Sequence, residues 1–161
     1  MPHIVVIAHN IRSTHNVGSI FRTCEGFGVE KLILSGYTPY PTIAGDTRLP
    51  HIREKITSQI HKTALDAEQL VPFEYHETLD LGTLDLAGYR IVALEQAPDS
   101  INLHDYRAPD YVALILGEEV HGITADILSQ CDDCLEIPMH GQKESFNVSV
   151  ATGIALYEHS K

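Results

Sequence analysis

Tyr111-Val112-Ala113-Leu114-Ile115-Leu116-Gly117-Glu118-Glu119-Val120-His121-Gly122-Ile123 is the stretch that decides the fold. The apolar run from Val112 to Leu116 does not alternate with polar residues, so it reads as a strand buried on both faces. It passes directly into a glycine, two acids and a second glycine. Thr124 then stands as N-cap of a short helix over residues 124–130. A strand of this kind needs helices on both sides, which implies a mostly parallel sheet. The same grammar recurs along the chain. Ile4–Ala8, Lys31–Leu34, Phe73–Tyr75, Arg90–Leu94 and Leu135–Ile137 read as further strands, the last stopped by Pro138. Between Thr14, a candidate N-cap, and the candidate C′ residue Gly28, the residues Val17, Ile20, Phe21 and Cys24 fall on one helical face. Residues 46–70 read as weak helix and Glu77–Leu86 as another. A last helix spans 146–159, with Val150, Ala151, Ile154 and Ala155 expected to face inward. No linker or internal repeat interrupts this alternation, so residues 1–161 are expected to form a single α/β domain, with helices on both faces of the sheet.

Composition excludes several classes. With 161 residues, 43% hydrophobic and 20% charged, the chain can bury a core without disulfides or metal. Its opening apolar run is too short for a signal peptide or a membrane span. Three cysteines, an odd number, fit a reducing compartment, and a cytoplasmic location is expected. The net charge of −11 argues against generic nucleic-acid binding, but it is unevenly spread. Residues 1–62 hold seven Lys and Arg against four acids, a net +3, whereas the remaining residues are strongly acidic. Arg12, Arg22, Arg48, Arg53 and Lys55 lie in this basic third and are candidate phosphate contacts.

Ligands of parallel sheets bind beyond the carboxyl ends of the strands. Three segments that follow strands there stand out: 95–100, 117–123 and 138–147. Alone, Gly117-Glu118-Glu119-Val120-His121-Gly122 is also compatible with a plain strand-to-helix turn. In Asn16-Val17-Gly18 and the Arg22 that follows, Asn16 and Arg22 lie off the apolar stripe of the first helix. Ile137-Pro138 leads through a short loop to Ser145-Phe146-Asn147-Val148-Ser149-Val150-Ala151. Helix capping accounts for one of these polar residues and not for three at alternating positions.

In order and spacing the segments 16–22, 117–122 and 137–151 resemble the SpoU/TrmH-like RNA ribose 2′-O-methyltransferases of the SPOUT superfamily, over residues 3–159. Two positions depart from the pattern of that family: Glu118, where Asn, Gln or Ser is commoner, and Phe146, where Leu is usual. The resemblance implies an α/β fold whose C-terminal part forms a deep trefoil knot. It implies an S-adenosylmethionine pocket from Leu94, Glu95, Gly117, Gly122, Ile137, Met139, Ser145 and Phe146. It further implies a homodimer that methylates tRNA or rRNA; a single domain with no appended RNA-binding domain is expected, and no metal. Arg22 would be essential for activating the 2′-hydroxyl, although a guanidinium is a poor base. Asn16, Ser145 and Asn147 would orient ribose, phosphate or Arg22, and Glu119 would brace the loops or Arg22.

Three other readings compete. A base methyltransferase of the same superfamily is the nearest, and the Ser145-x-Asn147-Val148-Ser149 pattern favours ribose. A non-catalytic RNA-binding module would have no need of Arg22, Asn16, Ser145 and Asn147 together. A nucleotide-dependent oxidoreductase is disfavoured because no Gly-x-Gly-x-x-Gly follows a strand. Cys131-Asp132-Asp133-Cys134 has no second Cys or His pair nearby to complete a zinc set.

Overall fold

The computed structural model describes residues 1–161. Its elements run β1 (His3–His9), α1 (Thr14–Gly26), β2 (Lys31–Ser35), α2 (Pro50–Ala64), α3 (Ala67–Leu70), β3 (Phe73–His76), β4 (Arg90–Leu94), β5 (Ile101–Asn102), β6 (Tyr111–Leu116), α4 (Ala125–Ser129), β7 (Asp133–Glu136) and α5 (Val148–His159). The seven strands form one sheet in the order β3-β2-β1-β6-β4-β7-β5, and every pairing is parallel. β1 and β6 sit at its centre, in register from His3 opposite Tyr111 to Ala8 opposite Leu116. The chain builds outward from β1 to β3, then returns to the other side of β6 for β4, β7 and β5. Such a reversal of strand order leaves a crevice at the carboxyl ends.

Alternation along the central strands divides the core between two faces. Ile4, Val6 and Ala8 of β1 join Val112, Leu114 and Leu116 of β6 in a cluster closed by residues of α1, α2, α3 and α5. Val5, Ile7, Ala113 and Ile115 face the opposite cluster, closed by Ile123, by Ile127 of α4 and by Leu81 and Leu86. Fully burying one such side chain contributes about 1.5–3 kcal/mol. No helix is long and apolar enough to cross a membrane.

Several expectations are corrected. Residues 77–86 form turns instead of a helix, because Asp80 draws in the Gly82 N–H with its carboxylate and the Thr83 hydroxyl with its carbonyl. Residues 46–70 hold two helices, separated at Leu65 and Asp66, where φ is 50° and 78°. α1 is capped by Ser13, whose hydroxyl accepts the Asn16 N–H, and not by Thr14. Val150 points outward. The inner stripe of α5 is Val148, Thr152, Ala155, Leu156 and His159, spaced four, three, one and three. α5 is apolar on nearly every side, so periodicity alone could not choose its buried face. β5 has only two residues and was not foreseen.

Gly18 fixes how closely α1 and α2 approach. A Cβ there would overlap the Thr63 hydroxyl and the Ile60 carbonyl. The contact is sealed by the Thr63 hydroxyl, which donates to the His15 carbonyl at 2.8 Å.

Candidate active site

A cavity of about 480 Å³ opens where β4, β6 and β7 end. Its apolar surface comes from Leu94, Leu116, Leu135, Ile137, Phe146, Val148 and Ala151. Glu95, Glu118, Glu119, Glu136 and Glu144 supply five carboxylates, and no Lys or Arg lines it. This volume suits a small ligand. This lining suits a ligand that is apolar in part and not anionic.

The loop from Gly117 to Ile123 is held by its own acids. Glu118 is buried and its carboxylate accepts the N–H groups of Val120 (3.1 Å) and His121 (2.9 Å), while its carbonyl accepts the Gly122 N–H (2.7 Å). Burial pushes the Glu118 carboxyl up, but the two backbone donors and the His121 and Arg12 charges outweigh it, leaving its pKa lowered. Glu95 crosses from the end of β4 to accept the Ile123 N–H at 2.9 Å. Gly122 has φ of 67°, and a Cβ would overlap the Glu95 carboxylate. This glycine therefore serves both the turn and the close approach of Glu95. On the facing wall, Gln96 donates to the Glu144 carbonyl at 2.9 Å and ties the loop after β4 to the one before α5.

Beside the cavity, the three segments singled out in the sequence meet. Asn16 donates through Nδ2 to Glu119 Oε1 at 3.0 Å and accepts at Oδ1 from Asn147 Nδ2 at 3.2 Å. Asn147 also caps α5, its Oδ1 accepting the Ser149 N–H at 2.9 Å and the Ser149 hydroxyl at 2.6 Å. Residues 103 and 131 positions from Asn16 thus share one polar bridge. Ser145 and Phe146 line the cavity and are exposed.

Of the residues expected to hold a cofactor, Leu94, Glu95, Gly117, Gly122, Ile137, Ser145 and Phe146 line this cavity, and Met139 does not. Glu119 braces Asn16 instead of Arg22. Arg22 is exposed, makes no hydrogen bond or ion pair within the chain, and does not line the cavity. It lies six residues beyond Asn16, about 9 Å further along α1.

The basic candidates divide sharply. Arg48 is engaged within its own loop. Its guanidinium bonds Asp46 (3.0 and 2.6 Å) and the carbonyls of Tyr40 (3.0 Å) and Pro41 (3.3 Å), and lies 3.6 Å from the centre of the Tyr40 ring. The Arg48 side chain is only 18% exposed, so the expectation of a free phosphate contact is corrected. Arg53 reaches back to the carbonyls of Asp46 and Arg48. Lys55 is exposed and unpaired, while exposed Arg12 rests 5.5 Å from the Tyr37 ring centre.

Gln96 and Glu144 fall within the segments singled out in the sequence, whereas the structural use of Glu118 and the placing of Leu135 and Glu136 around the cavity were not legible there. Only the alignment of three strand ends makes these positions neighbours.

A parallel α/β sheet with an acid-rimmed, partly apolar cavity at its strand ends defines a protein that binds a small, non-anionic molecule at the sheet's carboxyl edge. Comparison with known proteins narrows this class. Residues 3–157 match the model of the SpoU rRNA methylase family, and the chain belongs to that family. It is 34% identical over 157 residues to the tRNA (guanosine(18)-2′-O)-methyltransferase of Aquifex aeolicus, an alignment covering 96% of this chain and 67% of that protein. The crystal structure of the A. aeolicus TrmH/SpoU tRNA modifying enzyme superposes with a TM-score of 0.72 at 31% identity, covering 99% of this chain and 75% of the other. An AdoMet-bound rRNA methyltransferase from Sinorhizobium meliloti shares the fold, with a TM-score of 0.79 at 23% identity over 98% of this chain and 55% of that one. Among four of the curated relatives the chain spans 9%, 67%, 37% and 58% of their length.

Proposed function

We propose that this chain transfers a methyl group from S-adenosylmethionine to a ribose 2′-hydroxyl in tRNA or rRNA. The observation that carries this reading is the Glu119–Asn16–Asn147 bridge, which joins the three family segments beside the cavity. The cavity fits the cofactor by its apolar and acidic lining. Leu94, Leu116, Leu135 and Ile137 offer an apolar bed for an aromatic base, and five carboxylates with no lining Lys or Arg suit a ligand bearing cationic groups. A phosphate-bearing dinucleotide would meet five carboxylates and no lining Lys or Arg. When bound, S-adenosylmethionine supplies a methyl group already activated on a sulfonium.

The chain's own residues then have three tasks. Leu94, Glu95, Gly117, Gly122, Ile137, Ser145 and Phe146 hold the cofactor. Asn16 and Asn147 set the edge at which ribose enters. Arg22 engages the phosphate or ribose hydroxyl of the incoming nucleotide and orients it for in-line attack. Arg22 stands away from the cavity of its own chain, so the reading requires a homodimer in which it faces the partner's cavity. Val150 and Tyr157, one face of α5, are 50% and 58% exposed and suit such an interface. The fold includes the family's trefoil knot around the cavity loops, and the protein works in the cytoplasm as one domain. RNA lies along the basic third, contacted by Arg12, Arg22 and Lys55, while Arg48 and Arg53 stiffen the loop beneath.

The test is calorimetry with S-adenosylhomocysteine, followed by methyl transfer to unmodified tRNA and rRNA. Binding in the cavity, abolished by bulk at Ala151, supports the proposal. Absence of binding with and without RNA overturns it.

A further inference from the structure

A second constellation lies away from this cavity, at the corner where α2 ends and α3 begins. The positive-φ residues Leu65 and Asp66 turn the chain so that Asp66 and Glu68 come back over His61 in the last turn of α2. His61 Nδ1 lies 2.6 Å from Glu68 Oε1 and 3.6 Å from Asp66 Oδ1. One possible ligand atom from each of the three residues lies within 4.8 Å of the others.

Glu68 is what separates this group from an ordinary surface ion pair. It is 7% exposed, and its Oε2 is buried with no hydrogen-bond partner. A buried carboxylate oxygen without a donor is costly, and the protein leaves few of them. His61 satisfies Oε1 alone. A cation bound through Glu68 would offset the charge of this buried carboxylate.

We propose that His61, Asp66 and Glu68 form a zinc site, with water as the fourth ligand. The donor set fits a borderline divalent ion. An imidazole with two carboxylates is a set that Zn²⁺ accepts in tetrahedral geometry. Ca²⁺ and Mg²⁺ favour oxygen ligands throughout, and Cu(I) favours sulfur. Ligand atoms about 2.0–2.1 Å from a tetrahedral zinc stand roughly 3.3 Å apart. The His61–Asp66 separation of 3.6 Å is close to this already, and the ion replaces the direct His61–Glu68 bond. The site joins α2 to α3. Through the Thr63–His15 bond and the contact at Gly18, it steadies α1, which carries Asn16 and Arg22. This inference stands on its own geometry and does not depend on the reaction proposed above.

The experiment uses the full chain, stripped with a chelator and titrated with ZnCl₂ in a calorimeter, with thermal unfolding measured in parallel. The expected result is one Zn²⁺ per chain in the micromolar range and a raised unfolding midpoint, with MgCl₂ ineffective. Glu68→Gln, nearly isosteric, should weaken binding at least ~10-fold, and His61→Gln should do likewise. Unfolding midpoints in chelator report whether each variant folds. The double variant Cys131→Ser/Cys134→Ser should bind as wild type. No saturable binding, or unchanged affinity in Glu68→Gln, overturns the proposal. So does loss of binding in the cysteine variant.

Discussion

The two ends of the charge distribution teach different things. The acidic rim of the cavity is only partly available to a ligand, because Glu118 and Glu95 are occupied in holding backbone N–H groups of the loop 117–123. The basic third is likewise less basic than its composition. Arg48 and Arg53 are engaged with Asp46 and with carbonyls, leaving Arg12, Arg22 and Lys55 as free cations among the five candidates. Charge counted along a sequence is thus a ceiling on charge that can act.

The sharpest way to break this contrast is at Arg22. Under the proposed reaction, Arg22→Ala should lower methyl transfer at least ~100-fold while S-adenosylhomocysteine affinity stays within about twofold. Arg22→Lys should fail almost as badly, because the planar fork is lost. Single-turnover transfer and calorimetry separate the two effects. Equal losses in both would move Arg22 from positioning RNA to supporting the cofactor loops.

At the other region, Gly122→Ala should weaken cofactor-analogue binding by about 10-fold, since the positive φ and the displaced Glu95 carboxylate each oppose a side chain there. RNA affinity should be unchanged, so calorimetry and a filter-binding assay on one variant keep the two regions apart.

A smaller effect distinguishes occupied from free cations. Arg48→Ala should lower the unfolding midpoint by several degrees and leave the salt dependence of RNA affinity alone. Arg12→Ala and Lys55→Ala should each flatten the slope of log K against log salt by roughly 0.7–0.9, with no change in melting. A flattened slope in Arg48→Ala would mean that its loop opens on RNA.

These contrasts also show where the sequence is legible. The six longer strands are, because unbroken runs such as Val112–Leu116 have few alternatives to a doubly covered strand. The meeting of Asn16, Glu119 and Asn147 follows from family resemblance and not from spacing, since nothing local brings residues 131 apart together. The turns at 77–86 were hidden because an Asp-x-Gly-Thr turn sits inside a helix-like apolar pattern. The outward position of Val150 was hidden because α5 is apolar nearly all round. Arg48 read as a free cation because its partner Asp46 is only two residues away, and such pairs are ordinarily exposed.

The smallest expected effect concerns pH. His159 is 4% exposed, both ring nitrogens lack partners, and burial lowers its pKa from 6.5 despite the nearby Glu158. A histidine depressed in the folded state gives stability that is complete above the unfolded value. That stability is lost as pH falls through the lower, folded value. Thermal midpoints should therefore decline below pH 6.5, and His159→Leu should shallow that decline. An unchanged pH profile in the variant would assign the acid sensitivity to other groups.

The central claim is that the acid-rimmed cavity and the free arginine together methylate ribose. The direct measurement is to incubate the protein with methyl-labelled S-adenosylmethionine and unmodified tRNA and rRNA, then digest the RNA to nucleosides. The proposed reaction places the label in a 2′-O-methylnucleoside and loses it with Arg22→Ala. Label on a base, or no label from protein that binds the cofactor, would contradict it.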